Sequence, residues 1–129
     1  MLVASLGTPY EIQTENTILF LEDVSTKPYQ IDRMLMQLRL AGKLDKIVGI
    51  VFGPMMDCVQ PGAANDMLDA VLMRVLADFS GPIAIGLRSG HVPERNITLP
   101  IGVACELDLK GTAALRFTEP TVTMGKKGE

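Results

Sequence analysis

The chain has 129 residues, of which 47% are hydrophobic and 21% are charged, and its formal net charge is −3 at pH 7. This length suits one domain with a buried core, and the apolar composition excludes intrinsic disorder. Without an excess of positive charge, the composition argues against nucleic-acid binding through a basic face and against a polybasic membrane anchor. No apolar run approaches the roughly 18 residues of a membrane-spanning helix.

The first residues, Met1–Pro9, lack the charged start and the cleavage site of a secretion signal. They are typical of the interior of a longer protein, so we expect the chain to be one part of a larger protein. Cys58 and Cys105 are too few for a disulfide framework, which favours free thiols in a reducing cytoplasm. A metal site from Asp57, His91 and the two cysteines is an alternative that no CxxC or HxxxH spacing supports.

The first half of the chain predicts a strand, a helix and a second strand. The strand Ile18–Leu21 is a short apolar run. The helix begins at Pro28, whose missing N–H group costs nothing in a first turn, and Gly42 ends it. Its apolar residues form one stripe: Ile31, Met34, Leu35, Leu38 and Ala41. The second strand lies within Ile47–Gly53 and is apolar almost throughout, which predicts a central position with both faces covered.

The second half predicts a helix and a β-rich end. Asn65 is the predicted N-cap of the helix, whose apolar residues recur at helical spacing: Leu68, Val71, Leu72, Val75, Leu76 and Phe79. A short strand at Ile83–Gly86 leads into a polar loop. The later strand-like segments are Ile97–Leu99, Val103–Leu109, Ala113–Phe117 and Thr121–Met124, with a hairpin turn at Lys110–Gly111 and a polar tail at 125–129. This order predicts an α/β fold with a mixed sheet, two main helices and a β-rich C-terminal part.

Glu22 is the first candidate site residue, because it places a carboxylate at the end of an apolar strand. Burying a charge there is costly unless the charge has a specific partner. In the simpler alternative the strand has ended, Glu22 and Asp23 are solvated, and Asp23 assists the start of the following helix.

His91 is the only histidine of the chain, and it lies in an irregular loop after a buried strand, where α/β proteins place their sites. An imidazole can act as a general base near neutral pH, although a lone histidine in a surface loop is more often inert.

A glutamate and a histidine are two parts of a nucleophilic triad. No G-x-S-x-G elbow supplies the third part, and the serines occupy ordinary capping, turn or loop positions. If the chain takes part in catalysis, it therefore supplies part of a site.

Several segments form an ordered set along the chain: Leu6–Pro9, Ile18–Val24, Pro28–Leu35, Gln37–Gly42, Gly90–His91 and Asn96–Gly102. In this order and spacing they resemble the C-terminal domain of the LD-carboxypeptidases. That serine-peptidase family also contains the microcin-C immunity peptidases. The resemblance covers nearly the whole chain.

The resemblance implies a two-domain serine peptidase in which residues 1–129 are the C-terminal domain, with a swivelling β/β/α-type fold. The nucleophilic serine and the oxyanion hole would lie in an N-terminal domain. Glu22 and His91 would complete a Ser–Glu–His triad that uses neither cofactor nor metal. Family members trim the terminal D-alanine of murein tetrapeptides during cell-wall recycling or cleave a peptidyl-nucleotide antibiotic, and they are typically cytoplasmic homodimers. The resemblance does not choose between these substrates.

The pair Arg88–Ser89 stands directly before Gly90–His91, where the family pattern leads us to expect a more apolar pair. The guanidinium of Arg88 could contact an anionic substrate group such as a carboxylate, or it could simply be solvated. Arg33 is predicted to have a structural role, pairing locally along its helix.

Two hypotheses from other functional classes remain. In one, the chain is a stand-alone binding or assembly domain in which Glu22 and His91 are relics, and in the other it is a small metal-binding module.

The triad hypothesis also predicts a geometry and a surface. The carboxylate of Glu22 should lie within hydrogen-bond reach of the His91 ring, or one water molecule farther away. A domain that normally contacts a second domain should expose an apolar surface, which we expect next to His91, the Met1–Pro9 segment and Met55–Val59.

Overall fold

The central feature of the fold is a small parallel sheet, seen in a computed structural model that describes residues 1–62 and 66–122. Strand β1 comprises Ile18–Leu21, strand β2 Gly49–Phe52 and strand β3 Ile83–Ile85. The strands are parallel and lie in the order β1-β2-β3. Every residue of β2 is buried, which confirms the central position predicted from its continuous apolar run.

Two helices cover one face of this sheet. Helix α1 comprises Pro28–Leu40 and helix α2 Met67–Val75, and the two pack against each other. The core that they enclose with the sheet consists of Leu19, Ile31, Leu35, Leu38, Ile47, Ile50, Phe52, Cys58, Leu72, Val75 and Leu76. The apolar periodicity of both helices therefore correctly predicted which of their faces is buried.

The helix ends differ in detail from the predictions. Helix α1 begins at the predicted Pro28, and Gly42 adopts a φ of 70° just after the helix ends. Ala41 was predicted to extend the apolar stripe but is exposed, because the helix ends one residue earlier. Helix α2 is shorter than its periodic pattern, since turns replace it after Val75. The predicted N-cap Asn65 lies outside the described residues.

The C-terminal part forms a separate antiparallel hairpin. Strand β4 comprises Cys105–Asp108 and strand β5 Ala114–Phe117, and Leu107 faces Leu115 across the pair. The turn contains the predicted Lys110–Gly111 pair, with Gly111 at a φ of 81°. The fold is thus the predicted α/β class, with two helices and with parallel and antiparallel pairing in separate sheets.

Two of the predicted strands near this end do not form where the structure describes them. Ile97–Leu99 is irregular, because the N–H group of Ile97 donates to the carbonyl of Arg88 and closes a loop instead of extending a sheet. Within Thr121–Met124, residues 121–122 form a bend and the others lie outside the described residues, as does the polar tail 125–129.

The N-terminal segment is tied to the end of α1. It starts with a 3-10 turn at Leu2–Ser5, and the Nζ atom of Lys43 donates to Glu11 Oε1 at 2.7 Å. Hydrogen bonds from Lys43 and from the Gly7 backbone lower the pKa of the Glu11 carboxyl. Within the described ranges, no helix has the length and apolar character needed to cross a bilayer.

Because burial differs along α1, replacing leucine by alanine should lower the free energy of unfolding by very different amounts at two nearby positions. Leu38 is 2% exposed, whereas Leu40 is 82% exposed at the end of the same helix. Leu38→Ala should lower the free energy of unfolding by about 2–5 kcal/mol, because it leaves a cavity in the core. Leu40→Ala should change it by less than about 0.5 kcal/mol. Urea denaturation followed by circular dichroism measures both, and equal effects would contradict the described packing.

Candidate active site

The site lies at the carboxyl edge of the parallel sheet, where the segments after the strands meet. Glu22 follows β1, Gly53 follows β2, and the segment after β3 leads to His91. The Gly53 N–H donates to the Leu21 carbonyl at 2.8 Å, which continues the pairing of β1 with β2 to this edge. Parallel strands end at the same edge, so a residue after β1 and a loop after β3 can approach each other across β2.

The structure brings Glu22 and His91 into direct contact there. The imidazole Nδ1 lies 2.9 Å from Glu22 Oε1 and 3.1 Å from Oε2. The backbone N–H of His91 also donates to Oε1, at 3.0 Å. The expected hydrogen-bond distance between carboxylate and ring is therefore confirmed, and a second hydrogen bond, from the backbone, joins the same two residues.

This contact determines which nitrogen of the His91 ring can accept a proton. An ionised carboxylate can only accept hydrogen bonds, so the ring nitrogen facing it carries the proton. In the neutral ring the other nitrogen, Nε2, is then unprotonated and can accept a proton from another group. The Glu22 side chain is only 12% exposed, whereas that of His91 is 65% exposed. A shielded carboxylate thus orients an imidazole that an external group can reach.

Two glycines make room for the carboxylate. A Cβ atom at Gly53 would lie 2.8 Å from Glu22 Cγ and 2.9 Å from the carbonyl oxygen of Ser89. A Cβ atom at Gly90 would lie 2.4 Å from Glu22 Cδ, and Gly90 has a φ of 113°. Sequence reasoning treated Gly53 as a strand end and Gly90 as part of a motif. The available signal was a glycine after a strand, which often marks a close approach of the backbone.

The loop that carries His91 is closed by short-range hydrogen bonds. The Ile97 N–H donates to the Arg88 carbonyl at 2.7 Å, and the Val92 N–H donates to the Gly90 carbonyl at 3.0 Å. The side-chain amide of Asn96 bonds to both the N–H and the carbonyl of Gly90. Sequence reasoning placed Asn96 only within a family segment and missed this contact.

Asp23 has a different role from its neighbour. Its Oδ1 atom accepts hydrogen bonds from the Val24 N–H and the Thr26 hydroxyl, both at 2.8 Å, and so forms the turn between β1 and α1. The Ser25 N–H donates to the Met56 carbonyl, which ties this turn to the segment after β2. The strand does end before Glu22, as the simpler alternative had it. Its other part, in which Glu22 and Asp23 are solvated, is wrong, since both carboxylates have specific partners.

Arg88 is exposed, and its Nη2 atom donates to the backbone carbonyl of Glu94 at 2.6 Å. This contact spans the His91 loop, and it leaves the other guanidinium N–H groups for further partners. Arg33 lies over the ring of Tyr29, with 5.2 Å from its Cζ atom to the ring centroid, which agrees with the predicted local pairing along α1.

Cys58 is buried, as a small hydrophobic residue would be. Burial raises the pKa of its thiol, the carboxylates of Asp23, Glu22 and Asp57 act in the same direction, and a hydrogen bond with the Thr26 backbone opposes them. These effects disfavour the thiolate that a nucleophile or a metal ligand needs. Among residues 1–62 and 66–122, no three His, Cys, Asp or Glu side chains are grouped so that they could hold a metal ion.

Apolar side chains surround part of this edge. A cavity of about 110 Å³ is lined by Met1–Val3, Glu22, Asp23, Met34 and Met55, among others. Nearby in sequence, Met56 and Val59 are exposed. The cavity thus brings Met1–Val3 and Met55 next to Glu22. An exposed apolar surface next to His91 stays a prediction.

Comparison with known proteins gives consistent matches. A sequence model of the LD-carboxypeptidase C-terminal domain matches residues 1–107. The chain is 37% identical over 109 residues to a probable murein peptide carboxypeptidase of Bacillus subtilis, which covers 84% of this chain and 34% of that relative. A putative carboxypeptidase of Synechocystis is 39% identical over 104 residues, or 80% of this chain and 34% of the relative. The chain therefore spans about a third of the length of these curated relatives.

Solved structures show the same fold. Muramoyltetrapeptide carboxypeptidase from Oxalobacter formigenes matches with a TM-score of 0.77 and 31% identity, over 89% of this chain and 40% of that one. The microcin self immunity protein MccF in complex with aspartyl sulfamoyl adenosine matches with a TM-score of 0.82 and 25% identity, over 95% of this chain and 36% of that one.

The lack of space between Gly90 and Glu22 predicts how an alanine substitution at Gly90 affects the site. Gly86 and Gly90 both have positive φ, 95° and 113°, so alanine is strained at either position. Only at Gly90 would the added Cβ meet Glu22; at Gly86 nothing lies within 4 Å. Gly90→Ala should displace His91 from Glu22, and Gly86→Ala should not. Nitrogen-15 NMR of the neutral His91 ring measures this: the Nδ1-protonated form should persist in Gly86→Ala and be lost in Gly90→Ala. Its persistence in both would contradict the described contact.

The raised pKa of Cys58 predicts slow alkylation. Because the thiolate is the reactive form, the folded chain should react with iodoacetamide at Cys58 more slowly than the unfolded chain at the same pH. A Cys105→Ser variant isolates the signal of Cys58, and the same variant in denaturant is the control. Equal rates in the two states would show that burial does not protect the thiol.

Proposed function

The chain belongs to the LD-carboxypeptidase C-terminal domain family, and from this membership we propose that it supplies the base and the orienting carboxylate of a serine-type LD-carboxypeptidase. The observation that carries the proposal is the contact of Glu22 with both the Nδ1 atom and the backbone N–H of His91. A carboxylate that fixes the tautomer of an exposed imidazole is what a nucleophilic triad requires of its second and third members.

The nucleophile in this proposal is a serine of an N-terminal domain in the same protein. Within the described residues, Glu22 is the only side chain hydrogen-bonded to the His91 ring. The buried Cys58 thiol, with its raised pKa, is poorly suited to the role. In these curated relatives about two thirds of the length lies outside the matched part, which leaves room for such a domain and for its oxyanion hole.

The proposed reaction follows the logic of a serine triad. The serine hydroxyl attacks the carbonyl carbon of an amide next to a D-residue while the Nε2 atom of His91 takes its proton. Glu22 stabilises the resulting imidazolium without accepting the proton itself. The C–N bond then breaks, His91 returns the proton to the leaving amine, and water hydrolyses the acyl-enzyme with His91 again as base.

The proposed substrate is a murein tetrapeptide, from which the terminal D-alanine is removed during peptidoglycan recycling in the cytoplasm. The names of two matched proteins, a murein peptide carboxypeptidase and a muramoyltetrapeptide carboxypeptidase, support this substrate class. In the intact protein, which we propose to be a homodimer, Arg88 would contact a substrate carboxylate. Its exposed guanidinium, with one nitrogen committed to the Glu94 carbonyl, supports that role.

A second candidate function is cleavage of a peptidyl-nucleotide antibiotic by an immunity-type peptidase. The observation that favours it is the match to the MccF self immunity protein, which has a TM-score of 0.82 over 95% of this chain. Both candidates use the same Glu22 and His91 chemistry, and they differ in the group that follows the scissile amide.

Activity of the intact protein tests the proposal. The isolated chain should not hydrolyse LD-peptides, because the proposal places the nucleophile and the oxyanion hole in the N-terminal domain. Joined as one chain to its natural N-terminal domain, it should cleave a murein tetrapeptide. In that protein His91→Ala should abolish turnover, and Glu22→Gln should lower kcat by roughly 10²–10⁴-fold, because the base loses the partner that fixes its tautomer.

Glu15→Gln is the matched control, because the Glu15 side chain is 65% exposed and its partner in the described part of the chain is the exposed Lys46. It should leave kcat unchanged. Full activity with Glu22 and His91 both replaced would refute the assignment, and it would favour the hypothesis of a non-catalytic binding or assembly domain. Cleavage by the isolated chain would instead show that the nucleophile lies within it. Comparing a murein tetrapeptide with a peptidyl sulfamoyl nucleoside separates the two substrate classes.

A further inference from the structure

Within the loop that presents His91, the side chain of Asn96 makes two hydrogen bonds to the backbone of Gly90. Asn96 Oδ1 accepts the N–H of Gly90 at 3.2 Å, and Asn96 Nδ2 donates to the carbonyl of Gly90 at 3.0 Å. The orientation of the amide follows from chemistry, because an N–H group can only donate and a carbonyl can only accept. The side chain thus makes both hydrogen bonds that a residue of a neighbouring β-strand would make.

Gly90 lies against the Glu22 side chain and directly before His91. Its backbone lies so close to Glu22 that a Cβ atom would be 2.4 Å from the carboxyl carbon. The next residue, His91, contacts that carboxylate through its own N–H and through Nδ1. Any shift of Gly90 therefore changes both contacts of His91 with Glu22 at once.

Glycine does not hold this conformation by itself. It samples more backbone conformations than any other residue, so a single geometry at Gly90 needs external restraint. In the described part of the chain, the Asn96 side chain is the only hydrogen-bond partner of the Gly90 N–H. The bond between Ile97 and Arg88 closes the loop at its base but does not contact Gly90.

We propose that Asn96 is a positioning residue for His91, which acts through Gly90 to keep the imidazole against Glu22. This inference rests on the proposed function, because positioning matters for turnover only if His91 is the base. The hydrogen bonds that the structure describes for the Asn96 side chain go to Gly90, and none goes to the ring of His91 or to the Glu22 carboxylate. Loss of the Asn96 side chain should therefore affect the rate of the chemical step more than the binding of substrate.

Kinetics of the intact two-domain protein give the first readout. Asn96→Ala should lower kcat by up to about 100-fold with little change in KM, because a small misplacement of the base costs rate and leaves binding intact. Asn96→Asp keeps the shape of the side chain and an acceptor for the Gly90 N–H. It loses the donor to the Gly90 carbonyl and places a carboxylate oxygen there instead, so kcat should fall here as well.

Glu94→Ala is the matched control in the same loop. The Glu94 side chain is exposed and makes no hydrogen bond or ion pair within the described residues, and its backbone carbonyl keeps the contact with Arg88. This variant should retain the kcat of the unmodified protein. A fall in kcat equal to that of Asn96→Ala would mean that any change in the loop impairs turnover, and it would overturn the specific role of Asn96.

Nitrogen-15 NMR of the neutral His91 ring in this chain gives a readout that does not depend on activity. The Nδ1-protonated form should persist in Glu94→Ala and lose its predominance in folded Asn96→Ala. A purely stabilising role would lower the melting temperature and leave the tautomer of the folded chain unchanged. If Asn96→Ala does not fold, Asn96→Asp decides by the same measurement.

The outcomes separate the inference from the proposed function. If His91→Ala abolishes turnover while a folded Asn96 variant keeps both kcat and the Nδ1-protonated ring, the inference is wrong and the proposed function stands. If His91→Ala stays active, the proposed function is wrong. In that case the tautomer measurement alone decides whether Asn96 positions the ring.

Discussion

The structure of the site depends on one constraint, which is that a carboxylate at the end of a buried strand needs specific hydrogen-bond donors. Among the residues that the structure describes, Glu22 receives them from His91, through the backbone N–H and the Nδ1 atom of the ring. Both donors lie in a loop that follows β3, the third strand of the sheet. The carboxylate therefore links the first and third strands of the sheet across the central strand β2, and it orders the loop that places an imidazole at the surface.

This link is possible because the two residues whose backbone lies against the Glu22 side chain are glycines, which have no Cβ atom. Gly53 lies beneath the aliphatic part of Glu22, and Gly90 lies against its carboxyl carbon. Glycine has more conformations in the unfolded chain than other residues, so ordering Gly53 and Gly90 on folding costs conformational entropy. The two hydrogen bonds between Asn96 and Gly90 offset part of that cost. Rigid strands, close glycines and one amide together determine where the His91 ring lies.

Sequence patterns predicted most of the fold and part of the site. The apolar run of β2 and the helical spacing in α1 and α2 reflect burial, which a sequence records directly. Local context singles out Glu22 and His91 separately, and their chemistry suggests two parts of a triad. Their assignment to one site by motif position came from the resemblance to a family, because residues 69 positions apart show no periodic relation. The roles of Gly53, Gly90 and Asn96 depend on distances between loops. For the same reason Ile97–Leu99, which has strand-like composition, closes a loop instead of joining a sheet.

The central claim is that this chain supplies the base and its orienting carboxylate to a serine from another domain. A crystal structure of the intact protein tests this most directly, through the distance from the Nε2 atom of His91 to the nearest serine Oγ outside residues 1–129. The account predicts a separation of roughly 3 Å, or one water molecule more, with Glu22 still on Nδ1. A structure in which no such serine lies within about 10 Å of Nε2 would contradict the account, because hydrogen bonds do not reach that far.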